Sequence, residues 1–264
     1  MVPWLPHILA IAASAAPAPG AAKWVVDWGE QRCSLLRETG GTAPQTLMVR
    51  TVPGSNGAEL WLFDAQWTGP DRLMRDPVDL SLEPSGFQVT QGAISVRYRE
   101  LEGLAVTNVE PKFVEKISGA TALRIKRGKR ILADIPMPGS ARAVASLHAC
   151  EDEVMSDWGF DPAVMRSLSR PPTPVIPAAH WFTDRDYPME AIRLNQQGGV
   201  LTRLIVGTDG RVAECLVVDG SGVPILDSVT CRVLVERGRY KPALTAAGDP
   251  VRALTSVRIQ WRIP

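Results

Sequence analysis

The stretch Ser169-Arg170-Pro171-Pro172-Thr173-Pro174-Val175-Ile176-Pro177 limits the architecture of this chain more than any other. Proline fixes φ and carries no backbone N–H, so prolines at this density build neither a helix nor a strand inside a core. The segment reads as a semi-rigid, extended linker over 166–182. It divides the 264 residues into a longer first part and a shorter second part. Each is long enough to bury a core of its own.

The first part, over 23–165, predicts a β-rich domain. Strand-like runs alternate with turn residues: LMVRTV before PGSNG, ELWLFDAQW before TGPD, then FQVTQGAISVRYR, LAVTNVE and ALRIKRGKRILADI. One helix closes it, with Ser140 as N-cap, Ala143, Leu147, Cys150, Val154 and Trp158 on one face, and Gly159 at its C-terminal end. A sandwich or a barrel-like sheet with a single C-terminal helix satisfies this pattern.

The second part, over 183–264, reads helix, strand, turn, strand, helix, strand. A short helix starts near Pro188, where a proline in the first turn is tolerated. GVLTRLIV and RVAECLVVD are strands joined at Asp209-Gly210, a strong hairpin sequence. PILDSVTCRVLVERG is a helix with Leu226, Val229, Thr230, Val233 and Leu234 on one face. The last strand sets Val257, Ile259, Trp261 and Ile263 against Ser256, Arg258, Gln260 and Arg262, one dry row and one wet row. The sum is a small α+β domain, a three-stranded antiparallel sheet with two helices.

Charge excludes little beyond bulk attraction to nucleic acid, since 29 Lys and Arg stand against 28 Asp and Glu. The one basic run, Arg124 to Arg130, reads as a hairpin with Gly128 at its tip in preference to a phosphate or lipopolysaccharide contact. Trp61, Trp67, Trp158, Trp181 and Trp261 read singly as packing residues. No CxxC pair or His/Cys cluster suggests a metal or a redox couple, and no GxSxG nucleophile is present. The chain therefore carries no expected catalytic residue, metal or cofactor. Residues 1–22 read as a secretory signal peptide, an apolar run from Ile8 followed by small residues, with cleavage after Ala22 and export to the periplasm. If uncleaved, the segment would anchor the chain at the inner membrane.

An ordered set of short motifs spans the second part: Tyr187-Pro188 and Ala191, Gly199-Val200, Asp209-Gly210-Arg211-Val212, Ser221-Gly222, Leu226-Asp227, Tyr240, Pro242-Ala243, Gly248 and Pro250-Val251. This set resembles the C-terminal domain of the TonB energy-transducer family. The resemblance covers about 187–263 only. The end of the first part, MPGSARAVASLHAC, resembles the last helix of the invasion-associated locus B family.

The TonB resemblance implies a protein that binds a partner in the cell envelope, without enzymatic activity. Its partner is an outer-membrane TonB-dependent receptor or another envelope protein, whose extended peptide adds as a strand beside the last strand. That strand, Leu254, Thr255, Ser256, Val257, Arg258, Ile259, Gln260, Trp261 and Arg262, is expected at the sheet's edge, where Ser256, Arg258, Gln260 and Arg262 would flank the peptide. Its two arginines favour an acidic one. Energy-coupled transmembrane transport is the further implication. Family transducers, however, keep a membrane helix and a long Pro-rich stretch, whereas this linker would reach about 30 Å. The alternatives are a structural or interaction protein of the envelope that binds another protein or itself as a homodimer, and a periplasmic enzyme housed in the first domain.

Four cysteines remain. In an oxidising compartment they are expected to pair within each domain. Cys215 lies in a strand and Cys231 one helix later, and a helix that packs back on its sheet brings them together. Cys33 then pairs with Cys150 on the buried face of the closing helix.

Overall fold

The computed structural model describes residues 23–40, 44–55, 57–64, 76–98, 101–109 and 113–263. The expected signal peptide over 1–22 and Trp67 lie outside the described residues.

Among the described residues nine strands make the N-terminal body: β1 (Trp24–Trp28), β2 (Cys33–Glu38), β3 (Gln45–Thr51), β4 (Ala58–Asp64), β5 (Asp76–Glu83), β6 (Phe87–Tyr98), β7 (Leu101–Val109), β8 (Ala122–Arg127) and β9 (Arg130–Pro136). They form one antiparallel sheet in the order β1-β2-β3-β4-β7-β6-β5-β8-β9. Alternation drives its curl: Leu47 and Val49, Leu60 and Leu62, Leu80 and Leu82, Leu104 and Val106 all point to one interior. The curl brings β9 back beside β2 and β3. Arg37 Nε donates to the Pro136 carbonyl, and Gln45 Nε2 donates to that of Leu132 at 3.1 Å. Arg37 is fully buried and lies 5.0 Å from the Trp24 ring, so burial pulls its guanidinium below the ordinary arginine pKa.

Helix α1 (Phe113–Ile117) fills a corner of this core. Helix α2 (Ser140–Asp157) closes the curl with Ala143, Leu147, Cys150 and Val154, and Cys150 is bonded to Cys33 on β2. One helix was expected here; α1 and a short α3 (Pro162–Arg166) are additional. Five residues span too little of a helical period to stand out in a sequence. The basic run is the β8–β9 hairpin, with Gly128 at φ 57° and Arg124 paired across the strands with Asp134 at 2.6 Å.

The C-terminal body contains β10 (Thr173–Pro174), α4 (Met189–Arg193), β11 (Gly198–Val206), β12 (Val212–Asp219), α5 (Pro224–Arg237), β13 (Tyr240–Lys241), β14 (Ala243–Leu244), β15 (Pro250–Val251) and β16 (Ala253–Trp261). Its main sheet is three-stranded and antiparallel, ordered β12-β11-β16. The stripe of α5, Leu226, Thr230, Val233 and Leu234, is buried against Val200, Leu204, Val206 and Ile259. Cys215 on β12 is bonded to Cys231 on α5.

The proline segment is extended but is not a free spacer. Thr173 and Pro174 pair with Lys241 and Tyr240, and Val175 N donates to the Arg239 carbonyl at 2.9 Å. Arg170 donates through Nε and Nη2 to the carbonyl of Pro242. Trp181 is buried, its ring 5.3 Å from that of Tyr240. Prolines lack donors but keep their carbonyls, and the residues between them keep both groups. Such a strand can therefore dock wherever a large apolar anchor such as Trp181 holds it.

Candidate partner-binding edge

Among the described residues β16 is paired on one side. Its register with β11 runs from Gly198↔Trp261 to Val206↔Ala253, and among the described residues no strand pairs with its other side. Ile259 and Trp261 are buried, with Val257 half-buried beside them. Trp261 Nε1 donates to Thr230 Oγ1 on α5 at 2.8 Å, and its ring meets Phe182 and Tyr187 edge-on at 5.4 and 5.2 Å. These contacts fix the strand against the helices and leave its outer main-chain groups at the edge of the sheet.

The motif residues build this frame. Tyr187 donates its hydroxyl to the Gln196 carbonyl at 2.6 Å, and Pro188 precedes α4 as its N-cap. Ser221 donates its N–H and its hydroxyl to Asp227 Oδ1 at 2.8 and 2.7 Å, which pins the start of α5. Gly210 adopts φ 77°, and a Cβ there would stand 2.1 Å from the Tyr240 carbonyl, so no other residue fits. Gly199 leaves room for the side chains of Arg258 and Gln260, and a Cβ there would come within 2.9 Å of Gln260 Oε1. Gly222 takes φ 80°, Leu226 and Ala243 are fully buried, and Pro242 offers its carbonyl to Arg170. All act on the fold.

The row read as wet faces the N-terminal body. Ser256, Arg258, Gln260 and Leu254 share the sheet face opposite α5, together with Leu201, Arg203 and Ile205 of β11. Opposite them stand Arg50 and Glu59, cross-strand neighbours on the outer face of the N-terminal sheet, buried to 5% and 7% exposure. Arg258 Nε donates to Glu59 Oε1 at 2.6 Å, and Nη2 lies as near the same oxygen without hydrogen-bond geometry. Asp219 at the end of β12 accepts from Arg50 and from Arg32. Arg50 stacks 4.4 Å from the Trp61 ring; burial lowers its pKa, and Asp219 works against that shift.

An apolar cluster completes the junction. Ile205 and Leu254 meet Met155 and Phe160 from the end of α2 and just beyond it, with Trp158 and Met165 at its margin. Arg203 lies 4.1 Å from the Trp158 ring, and Arg252 lies 4.8 Å from that of Phe160. Arg258 is ion-paired with the N-terminal body and not simply solvated. An ion-paired face shows the same alternation as a hydrated one, and its partners are remote in sequence.

At the rim of the junction the two sheets part. A cleft of about 250 Å³ opens there, lined by Arg258, Gln260 and Arg262 on one side and by Gln91, Gly92 and Ile94 of β6 and Thr107 of β7 on the other. A second cavity, about 420 Å³, lies in the N-terminal body between the β3–β4 connection and α1, α2 and α3. Glu151 lines it beside His148 and Glu115, and burial raises its carboxyl pKa.

No curated protein and no solved structure matches this chain. Residues 183–263, the segment that carries α4, α5 and the β12-β11-β16 sheet, match the family model described as Gram-negative bacterial TonB protein C-terminal, and this part of the chain belongs to that family.

Proposed function

We infer that this TonB-like envelope protein captures an extended segment of a periplasmic partner, an outer-membrane receptor in the first instance, as a fourth strand on β16. The observation behind this reading is the edge itself: β16 is locked by Trp261 and Ile259 on one face and by Arg258 and Leu254 on the other, yet among the described residues it pairs with one strand, β11. A strand so held presents preordered donors and acceptors, and main-chain pairing supplies affinity while side chains supply choice. The reading assigns no catalysis to the chain.

Proline replaces one N–H of a strand and tests the edge directly. Arg258→Pro and Ile259→Pro are compared, because successive N–H groups of a strand point to opposite sides, with Arg258→Ala and Ile259→Ala as controls because both side chains also hold the fold. Photo-crosslinking to partner in intact envelopes should fall for the substitution that removes an outward N–H, with thermal unfolding no lower than that of its alanine control. Capture undiminished by either proline rejects strand addition here.

Energy coupling extends this reading and requires an inner-membrane anchor; among the described residues no helix is long and apolar enough to cross a membrane. A structural protein of the envelope, without transduction, is the second reading. The face-to-face packing of the two bodies favours it, because one face of the family domain already has its partner in the same chain. Fractionation separates the two: a chain released with soluble periplasm cannot transduce.

A further inference from the structure

We propose that the partner groove has two walls, β16 and the outer face of the N-terminal sheet, and that it takes an extended peptide bearing carboxylates. This rests on the reading of β16 as a partner edge and adds the second wall and the ligand's charge.

The second wall follows from strand parity. Val89 and Ala93 of β6 and Val106 of β7 turn into the N-terminal core, so Gly92, Ile94 and Thr107 turn outward. These three line the cleft that Gln260 of β16 and Arg262, just past its end, line from the other side. The Arg258–Glu59 pair, the Asp219 contacts and the Leu254 cluster hold the walls at a fixed separation. A strand added beyond β16 would send alternate side chains into this cleft.

The ligand's charge follows from the groups present. Three guanidiniums, Arg32, Arg50 and Arg258, share two carboxylates, Glu59 and Asp219, within the junction. Of these three, Arg258 lines the cleft together with Arg262, which is exposed and makes no ion pair among the described residues. The chain as a whole is near neutrality, at +1, so this is a local field. Because Arg258 is occupied by Glu59, Arg262 is the cation free to meet an incoming carboxylate, with the Gln260 amide next to it.

Gly92 gives the decisive variant. A Cβ there meets nothing within 4 Å, and no left-handed φ is required, so Gly92→Trp fills the cleft from the N-terminal wall without disturbing the strand. The full chain is titrated by fluorescence anisotropy with a labelled decapeptide of alternating glutamate and threonine, and with its glutamine counterpart. Saturable binding of the acidic probe is expected, with the glutamine peptide weaker. Gly92→Trp and Arg262→Glu should each weaken the acidic probe by about tenfold or more, at unchanged thermal stability. Absence of saturable binding overturns the proposal. So does equal binding of both peptides, or binding unaffected by Gly92→Trp. Tighter binding in Gly92→Trp makes the N-terminal sheet a cover instead of a wall, and concentration-dependent dimers that exclude the probe make a second copy the occupant; either rejects it. If the β16 prolines abolish binding and Gly92→Trp does not, the edge reading stands and the two-walled groove falls. If neither changes binding, both fall.

Discussion

Arg258 on β16 donates its Nε to Glu59 on β4 at 2.6 Å, across 199 positions of sequence and across the junction of the two bodies. Both side chains are largely withdrawn from water, at 16% and 9% exposure. Removing one partner of such a pair strands the other: Glu59→Ala leaves Arg258 with Asp219 alone, at 3.6 Å, and takes one of its two carboxylates from Arg50. Glu59→Ala should therefore cost about 3 kcal/mol in urea unfolding. The double variant Glu59→Ala/Arg258→Ala should cost less than the two single costs added, by roughly 1 kcal/mol or more. Strict additivity would mean that the pair adds nothing to the junction.

The two disulfides close loops of different size, with a sequence separation of 117 for Cys33 and Cys150 and of 16 for Cys215 and Cys231. Chain entropy assigns about 5 kcal/mol to the first and about 3 kcal/mol to the second. Replacing Cys33 and Cys150 by alanine should lower the denaturation midpoint further than replacing Cys215 and Cys231. The reverse order would show that the short staple acts in the native state, holding α5 on β12.

The dry row of β16 and the stripe of α5 were legible in the sequence because each packs on a core contributed by its neighbours in the chain. Asp209-Gly210 marked its turn for the same local reason. The fate of Arg258 was not legible. Ser256, Arg258 and Gln260 alternate with Val257 and Ile259 whether the polar row meets water or meets Glu59. β1 is hard to read because Trp24 to Asp27 follows the Ala-rich run with only Lys23 between, β2 because CSLLRE lacks a strict apolar–polar alternation, and β5 because Pro77 argues against a strand. Pro77 is accommodated beside Gly92 in the β5–β6 ladder. The edge position of β16 came from family resemblance; the second wall of the cleft required the folded arrangement of strands 150 or more positions earlier in the chain.

Two carboxylates respond to pH with opposite sign. Asp186 accepts from Arg237 at 2.7 and 2.9 Å and from the Thr183 N–H and hydroxyl at 2.8 Å, and these bonds lower its pKa from 3.8 to about 2. A depressed folded pKa contributes stability above the unfolded value and loses it as pH falls through the folded one. Asp186→Asn should thus reduce stability at pH 7 and flatten the loss between 3.8 and about 2. Glu151 is shifted upward by burial, so its contribution is present below the ordinary glutamate range and is lost as pH rises. Glu151→Gln should raise the unfolding midpoint at neutral pH and leave it unchanged in acid. Unfolding followed across pH 2 to 8 reads both.

The proline segment should behave as part of the C-terminal body. Its strand pairing at Thr173 and Pro174 is short and exposed, so the anchor is Trp181, at 6% exposure between Tyr240 and the sheet. Its carbonyl accepts from Arg237 Nη1 at 3.0 Å, which couples the segment to the last turn of α5 and, through the same guanidinium, to Asp186. Trp181→Ala empties a large buried volume and should cost about 3–5 kcal/mol. In the parent chain, limited proteolysis should spare 171–181, since cleavage needs the backbone lifted from its partners. In Trp181→Ala the same segment should become the first site of cutting, while the N-terminal body stays intact on the gel. Early cleavage of the parent at 171–181 would mean that the tryptophan packs without restraining the prolines before it, and that the segment is a tether after all.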